Sequence, residues 1–222
     1  FRDRLAMDAP QAIAVISEIK RKSPSKGLLR ADLDPQFLAD AYQAGGASCL
    51  SVLTDEDFFE GSIEDLQIAA AACTLPVLRK DFTVSAHDVC DTRLMGADCV
   101  LLIAAALDPH ELKDLHHLAT SLGLDVLVEI HDEAELEVAL SAGALLIGVN
   151  QRDLVTFEVD HQRALRMAGL IPSGVLRVAE SGVRGPADAL ALHQAGYHAV
   201  LVGESLVTAD DPAGAVRALR NL

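Results

Sequence analysis

Residues 175–206 read VLRVAESGVRGPADALALHQAGYHAVLVGESL, and this stretch decides the fold. An apolar run at 175–179 gives way to Glu180-Ser181-Gly182. Gly185-Pro186 then opens a helical segment, because proline is preorganised for the first helical turn and has no N–H to leave unpaired there. Apolar positions keep a helical period through 187–194. Ala195-Gly196-Tyr197 closes the segment, since a glycine at or near a helix end can turn left-handed and send the chain into the next strand. A second apolar run, 199–202, again hands over to Gly203-Glu204-Ser205. Strand, helix and strand, with polar residues at the C-terminal end of each strand, form a parallel repeat whose chemistry lies on one side.

The same pattern extends toward the N-terminus. Ala44-Gly45-Gly46-Ala47 precedes the run 49–53, Met95-Gly96-Ala97 precedes 100–103, and Ala142-Gly143-Ala144 precedes 145–149. Gly45, Gly96, Gly143 and Gly196 are separated by 51, 47 and 53 positions. One βα unit takes about 25–30 residues, so each interval holds two units and four intervals hold eight. Six of the eight apolar runs end in charged, amide or hydroxyl groups. The run 15–19 carries Glu18 and Lys20, 76–78 leads into Arg79-Lys80-Asp81, 126–130 carries Glu129, and 145–149 delivers Asn150. The runs 49–53 and 100–103 end at Thr54 and Ala104.

Segments 35–43, 110–122 and 133–140 have helical period, with Asp34-Pro35 and Asp108-Pro109 as starts. Residues 1–12 are expected to hold the end of a leading helix and a turn at Asp8-Ala9-Pro10. Strands rich in Val, Ile and Leu without strict alternation suit a parallel sheet covered on its outer face. The expected fold is α/β, a single (β/α)8 TIM barrel over residues 1–222. An open doubly wound sheet would want a glycine-rich dinucleotide loop after its first strand, and the stretch from Ser17 to Pro24 has no glycine.

Half of the 222 residues are apolar, enough for a sizeable core. Eighteen basic against 33 acidic residues give a net charge of −15, which argues against nucleic acid or an anionic membrane as the main partner. An anionic substrate would need cations gathered at its site. Cys49, Cys73, Cys90 and Cys99 form no CxxC pair and are expected to be buried, reduced thiols of a cytoplasmic protein. No apolar run approaches the roughly 18 residues of a membrane span, and the start does not read as a signal peptide.

Period 2 puts Glu18 and Lys20 on one face, where they can pair inside a barrel or form a structural ion pair. Lys80 at a barrel rim can be a general acid, a Schiff-base amine, an anion clamp or a plain surface lysine. Glu129 and His131 share a face, and Glu18, Glu129 and Glu180 can meet around one cavity as acids or bases. The same carboxylates could bind a metal, although Lys20 and Lys80 would compete with the cation, and adjacent His116 and His117 point in different directions. Asp55-Glu56-Asp57 reads as a solvated face. Ser181, Gly182 and Gly203 are turn residues, or they offer backbone N–H groups to a phosphate, with Glu204 turning its side chain away.

Seven motifs in order, from about residue 15 to 206, resemble the indole-3-glycerol phosphate synthase family. They are Glu18-Ile19-Lys20-Arg21-Lys22-Ser23-Pro24-Ser25-Lys26-Gly27, then Thr54 through Phe59-Glu60-Gly61-Ser62, and Leu78-Arg79-Lys80-Asp81-Phe82. Leu127-Val128-Glu129-Ile130-His131, Gly148-Val149-Asn150-Gln151-Arg152-Asp153-Leu154, Ala179-Glu180-Ser181-Gly182 and Gly203-Glu204-Ser205-Leu206 follow.

The resemblance implies ring closure of 1-(2-carboxyphenylamino)-1-deoxyribulose 5-phosphate, an anionic phosphosugar, with loss of CO₂ and water. No metal or organic cofactor is implied. By the same resemblance Lys80 is the general acid, Lys20 holds the carboxylate and can donate a proton in dehydration, and Glu129 is the acid/base for losing the hydroxyl. Glu18 orients the lysines, while Asn150 and Glu180 bind hydroxyls and support the cations. Ser23, Ser181, Gly182, Gly203 and Glu204 hold the phosphate, Phe59 and Phe82 pack the anthranilate ring, and Arg152 joins the binding set.

Two departures from the family stand out. The family's N-terminal extension helix, which helps close over the substrate, is expected to be largely absent here, with weaker substrate binding as the consequence. Gln151 stands where many relatives have Asn. Phosphoribosylanthranilate isomerase, a barrel with a related ligand, would need a thiol at the end of strand one and a carboxylate on strand six, where this chain has Glu18, Lys20 and Asn150. A non-catalytic phosphosugar-binding barrel is the rival from another class.

Overall fold

The computed structural model describes residues 1–221; Leu222 lies outside the described residues. Eight parallel strands close into a barrel: β1 (Ala14–Ile19), β2 (Cys49–Leu53), β3 (Val77–Lys80), β4 (Cys99–Ile103), β5 (Asp125–Ile130), β6 (Leu146–Asn150), β7 (Leu176–Glu180) and β8 (Ala199–Val202). Each pairs with its sequence neighbours, and β1 closes the ring against β8, Ala14 beside Ala199. This is the expected (β/α)8 architecture.

Helix α1 (Arg2–Asp8) precedes the barrel. Around it lie α2 (Pro35–Gly45), α3 (Ile63–Ala72), α4 (Ala86–Leu94), α5 (Pro109–Ser121), α6 (Glu133–Ser141), α7 (Arg163–Met167), α8 (Pro186–Gln194), α9 (Glu204–Val207) and α10 (Pro212–Arg220). Asp34 and Asp108 cap α2 and α5 through their carboxylates, each followed by the proline that the sequence flagged. Three of the four recurring glycines, Gly96, Gly143 and Gly196, have φ of 92°, 91° and 94°. In the fourth phrase the left-handed residue is Gly46 (φ 88°), not Gly45. Gly45 stays in α2, where a Cβ would press on the Ala213 carbonyl of α10 at 2.6 Å.

Two apolar layers follow from the period-2 alternation of the strands. Val15, Leu50, Val77, Val100, Val128, Ile147, Ala179 and Val200 face the helices. Ala14, Ile16, Cys49, Leu78, Cys99, Leu101, Leu127, Leu146, Val178 and Ala199 fill the barrel interior. Helix α1 seals the N-terminal end. Its Leu5 joins the interior cluster, and the Arg2 backbone N–H donates to Asp125 at the start of β5 at 2.8 Å. Helix α1 therefore lies at the end of the barrel opposite the polar strand ends.

Strand limits differ from the apolar runs in an informative way. β3, β6 and β7 continue through Arg79-Lys80, Asn150 and Glu180, which the runs left outside. Backbone pairing does not stop where the interior turns polar. Arg79 points outward and donates to Asp81 at 2.8 Å, to the Asp88 carbonyl at 3.0 Å and to Thr92 at 3.1 Å. The cysteines also need a correction: Cys49 and Cys99 are buried, but Cys73 is only half-buried and Cys90 on α4 is exposed. All four are free thiols.

Candidate active site

The inward phase of each strand, continued to its C-terminal end, produces the site. Ala14 and Ile16 lead to Glu18 and Lys20, Leu78 to Lys80, Leu127 to Glu129, Leu146 to Gly148 and Asn150, and Val178 to Glu180. Below is a buried apolar layer, and above it the same alternation presents ionisable groups. They open into a cavity of about 830 Å³, whose apolar floor includes Leu101, Ile103 and Leu201. All fourteen site residues expected from the sequence line this one cavity: Lys80, Lys20, Glu129, Glu18, Asn150, Glu180, Ser23, Ser181, Gly182, Gly203, Glu204, Phe59, Phe82 and Arg152.

Lys80 is the hub. Its Nζ lies 3.3 Å from Glu129 Oε2 and 3.8 Å from Glu180 Oε2. Asn150 Nδ2 donates to Glu129 Oε1 at 2.9 Å, and His131 Nε2 stands 3.6 Å from the same oxygen. His131 Nδ1 in turn sits 3.0 Å from Glu135 Oε2, which fixes the imidazole. Glu18 makes its close contact with the other lysine: Lys20 Nζ donates to Glu18 Oε1 at 2.5 Å. The site therefore holds two ion-paired clusters, one at the C-terminal end of β1 and one spanning β3, β5, β6 and β7.

Burial alone would lower the Lys80 ammonium, but the charges of Glu129, Glu180 and Glu18 outweigh it and hold its pKa above the usual lysine range. Burial pushes Glu129 up, yet Lys80, the Asn150 amide and His131 bring it below the ordinary carboxylate range. Glu180 goes the other way. Burial first, then the negative charge of Glu129, push it up to about 8, despite the attraction of Lys80. One ammonium cannot fully compensate two buried carboxylates, so the proton affinity of Glu180 rises while that of Glu129 falls.

A stability prediction follows from this. In the unfolded chain Glu180 ionises at an ordinary carboxylate pKa, so between that value and about 8 the folded state binds the extra proton. The stabilisation is present in acid and is lost as pH rises through about 8. Glu180→Gln should therefore raise Tm relative to the parent by an amount that grows from pH 5 to pH 9, reaching about 5 °C. Thermal melts across that range check it, and a pH-independent difference would refute it.

Two glycines that face the site are required by close approach. Gly148 lies beside Glu129 in the β5–β6 register, and a Cβ there would overlap Glu180 Oε1. A Cβ on Gly203 would overlap Glu18 Oε1 and come within 3.0 Å of Lys20 Nζ. Gly203 thus makes room for the Glu18–Lys20 pair, in addition to lying at the start of α9. The Glu204 carboxylate lies 3.8 Å from Lys26, which lines the same mouth.

The aromatic wall holds more rings than the expected Phe59 and Phe82. Phe59 and Phe82 both line the cavity, but Phe82 stacks edge-to-face on Phe58, with centroids 6.1 Å apart. Phe157 adds a fourth ring, carried by a loop that folds back so that Arg152 bridges to Val159 and donates to the Phe157 carbonyl at 2.9 Å. Phe58 was hidden by its neighbour Phe59, and Phe157 by a loop whose fold depends on Arg152. His161 and Arg184, which carry no motif, also line the mouth, together with Ser205. Among the described residues no group of three or more His, Cys, Asp or Glu is arranged to hold a metal ion, and no helix is long and apolar enough to cross a membrane.

Ionisable groups that gather at the carboxyl ends of barrel strands, over a closed apolar floor, define a (β/α)8-barrel enzyme. Residues 1–219 match the family described as Indole-3-glycerol phosphate synthase, and the chain belongs to that family of tryptophan-pathway carboxy-lyases. It is 52% identical over 219 residues to the indole-3-glycerol phosphate synthase of Polaromonas naphthalenivorans (strain CJ2), covering 99% of this chain and 82% of that one. The enzyme of the same name from Mycobacteroides abscessus is 53% identical over 214 residues, covering 96% and 79%. Among solved structures, a 3-hexulose-6-phosphate synthase superposes with a TM-score of 0.72 at 17% identity, covering 94% of this chain and 98% of that one. Thiamine phosphate pyrophosphorylase from Pyrococcus furiosus gives 0.69 at 14% identity, covering 95% of each. These two show the fold alone.

Proposed function

We propose that the chain converts 1-(2-carboxyphenylamino)-1-deoxyribulose 5-phosphate into indole-3-glycerol phosphate, with Lys80 as the general acid. The observation that carries this reading is the buried Lys80 ammonium between Glu129 and Glu180 at the base of a cavity walled by aromatic rings. Ring closure presses the aryl carbon that bears the carboxylate against the ketone carbon, so a shaped cavity does much of the work by positioning. As that bond forms, the ketone oxygen becomes an alkoxide. An ammonium held charged by carboxylates stabilises this oxygen and gives it a proton, because an alkoxide is the stronger base.

Lys20, aligned by Glu18, binds the substrate carboxylate until it departs as CO₂ and can donate a proton in dehydration. Glu129 is the acid/base partner in losing the hydroxyl, and Asn150 and Glu180 bind the sugar hydroxyls. Ser23, Ser181, Gly182, Gly203 and the backbone of Glu204 receive the phosphate. Phe59 and Phe82, joined by Phe58, pack the ring, and Arg152 holds the loop that carries Phe157. The gathered lysines reconcile an anionic substrate with a chain of net charge −15. A cytoplasmic setting belongs to the same reading.

Glu129→Gln keeps the shape and the Asn150 neighbour but cannot exchange a proton. It should leave KM within about threefold and lower kcat by about 100-fold. Steady-state kinetics check this, and a parental kcat would overturn the assignment of Glu129.

A further inference from the structure

Gln151 does not line the cavity, yet it is 1% exposed and bonded on three sides. Its backbone N–H donates to the Glu180 carbonyl at 3.0 Å, which carries the β6–β7 ladder past Asn150. Its carbonyl accepts from the Asp160 N–H at 2.8 Å and so closes the loop that holds Arg152 and Phe157. Its side-chain amide reaches across the end of β7 and donates to the Ser181 carbonyl at 2.8 Å.

The residue it grips is under backbone strain. Ser181 has φ 64° and Gly182 has φ 75°. Glycine takes such a conformation freely, but in a serine the Cβ crowds the following carbonyl, and the conformation persists only where neighbours impose it. Both residues line the main cavity. The other end of the amide, Gln151 Oε1, is buried without a hydrogen-bond partner among the described residues. A buried amide with only its donor end satisfied has a net cost, which fits a group placed for that one donation.

We propose that Gln151 is the positioning residue of the phosphate subsite: its amide locks the Ser181 carbonyl and holds the Ser181–Gly182 turn in the left-handed form that lines the cavity. The lock acts on phosphate through Ser181 and Gly182, and its side-chain amide bonds to none of the side chains around Lys80. It rests on the reading that Ser181 and Gly182 receive the phosphate. An asparagine at 151, one methylene shorter, would fall short of the Ser181 carbonyl.

The test uses inorganic phosphate as a competitor of the substrate, with Gln151→Met, which keeps the bulk but cannot donate. The phosphate inhibition constant and KM should each rise about fivefold, while kcat moves less than twofold. In a Ser181→Gly background the same change should cost less than about twofold, because glycine needs no lock. Thermal melts of each variant establish that it is folded. Unchanged phosphate inhibition in Gln151→Met would overturn the lock, and so would equal penalties in the two backgrounds, which would make Gln151 a packing residue. Gly182→Ala tests the underlying reading separately. If it leaves phosphate inhibition unaltered, the phosphate does not bind there. If it weakens inhibition while Gln151→Met does not, the lock alone is wrong.

Discussion

Lys80→Met should lower kcat by about 1,000-fold, the largest single loss expected for this chain. Methionine fills most of the space but supplies neither the proton for the ring-closure alkoxide nor the charge that compensates Glu129 and Glu180, 3.3 and 3.8 Å away. Stability should fall as well, and most at high pH, where Glu180 can no longer relieve the repulsion by holding its proton. Lys80→Arg separates the two contributions. Its guanidinium keeps a cation between the carboxylates but does not give up a proton at working pH. Stability near the parent's, with turnover still depressed, would assign the loss to proton donation. Turnover restored by arginine would mean that charge alone suffices and that Lys80 is not an acid. Single-turnover rates and melts of both variants decide between these outcomes.

Gly148→Ala should rank second. The added methyl group enters the space that Glu180 Oε1 occupies, so Glu180 must swing off its position near Lys80. Displacement of about 1 Å in a positioned group can cost about 100-fold in rate, and kcat should fall by that order. Overpacking should also cost about 1–3 kcal/mol of stability. Adding Glu180→Asp shortens the obstructing side chain, so the double variant should regain stability without regaining full activity. A Gly148→Ala protein with parental kcat and Tm would show that the carboxylate has room to spare.

The fold could be read from local signals, because each of them is a local physical requirement. Asp34-Pro35 and Asp108-Pro109 start helices where expected, and left-handed glycines, Gly96, Gly143 and Gly196 among them, follow helix ends. Glu18, Lys80, Glu129, Asn150 and Glu180 were visible because each continues the inward phase of an apolar strand. The apolar runs stop short of the strand ends at Lys80, Asn150 and Glu180 for the same reason: a polar residue there marks the start of the cavity and not the end of the strand.

What stayed hidden depends on contacts between segments far apart in sequence. Gly148 reads as an ordinary strand glycine and Gly203 as a turn or phosphate-binding one; that each makes room for a carboxylate, Glu180 and Glu18, shows only in the folded chain. Gln151 drew notice only as a departure from relatives, and its grip on Ser181 needs the β6–β7 register to be seen. Glu18 was expected to serve both lysines, but its close contact is with Lys20, because Lys80 has nearer partners on β5 and β7. Cys90 was expected to be buried, yet it lies on the solvent side of α4, where apolar neighbours in sequence are not neighbours in space.

The most direct measurement exploits a chain without tryptophan, whose background in the indole emission band is low. The parent is mixed with 1-(2-carboxyphenylamino)-1-deoxyribulose 5-phosphate, and indole fluorescence is followed together with released CO₂. The expected result is emission that rises in step with an equimolar release of CO₂ and that Lys80→Met abolishes. A folded parent that binds this compound yet yields neither indole nor CO₂ would contradict the proposed reaction and leave a barrel that only binds its ligand.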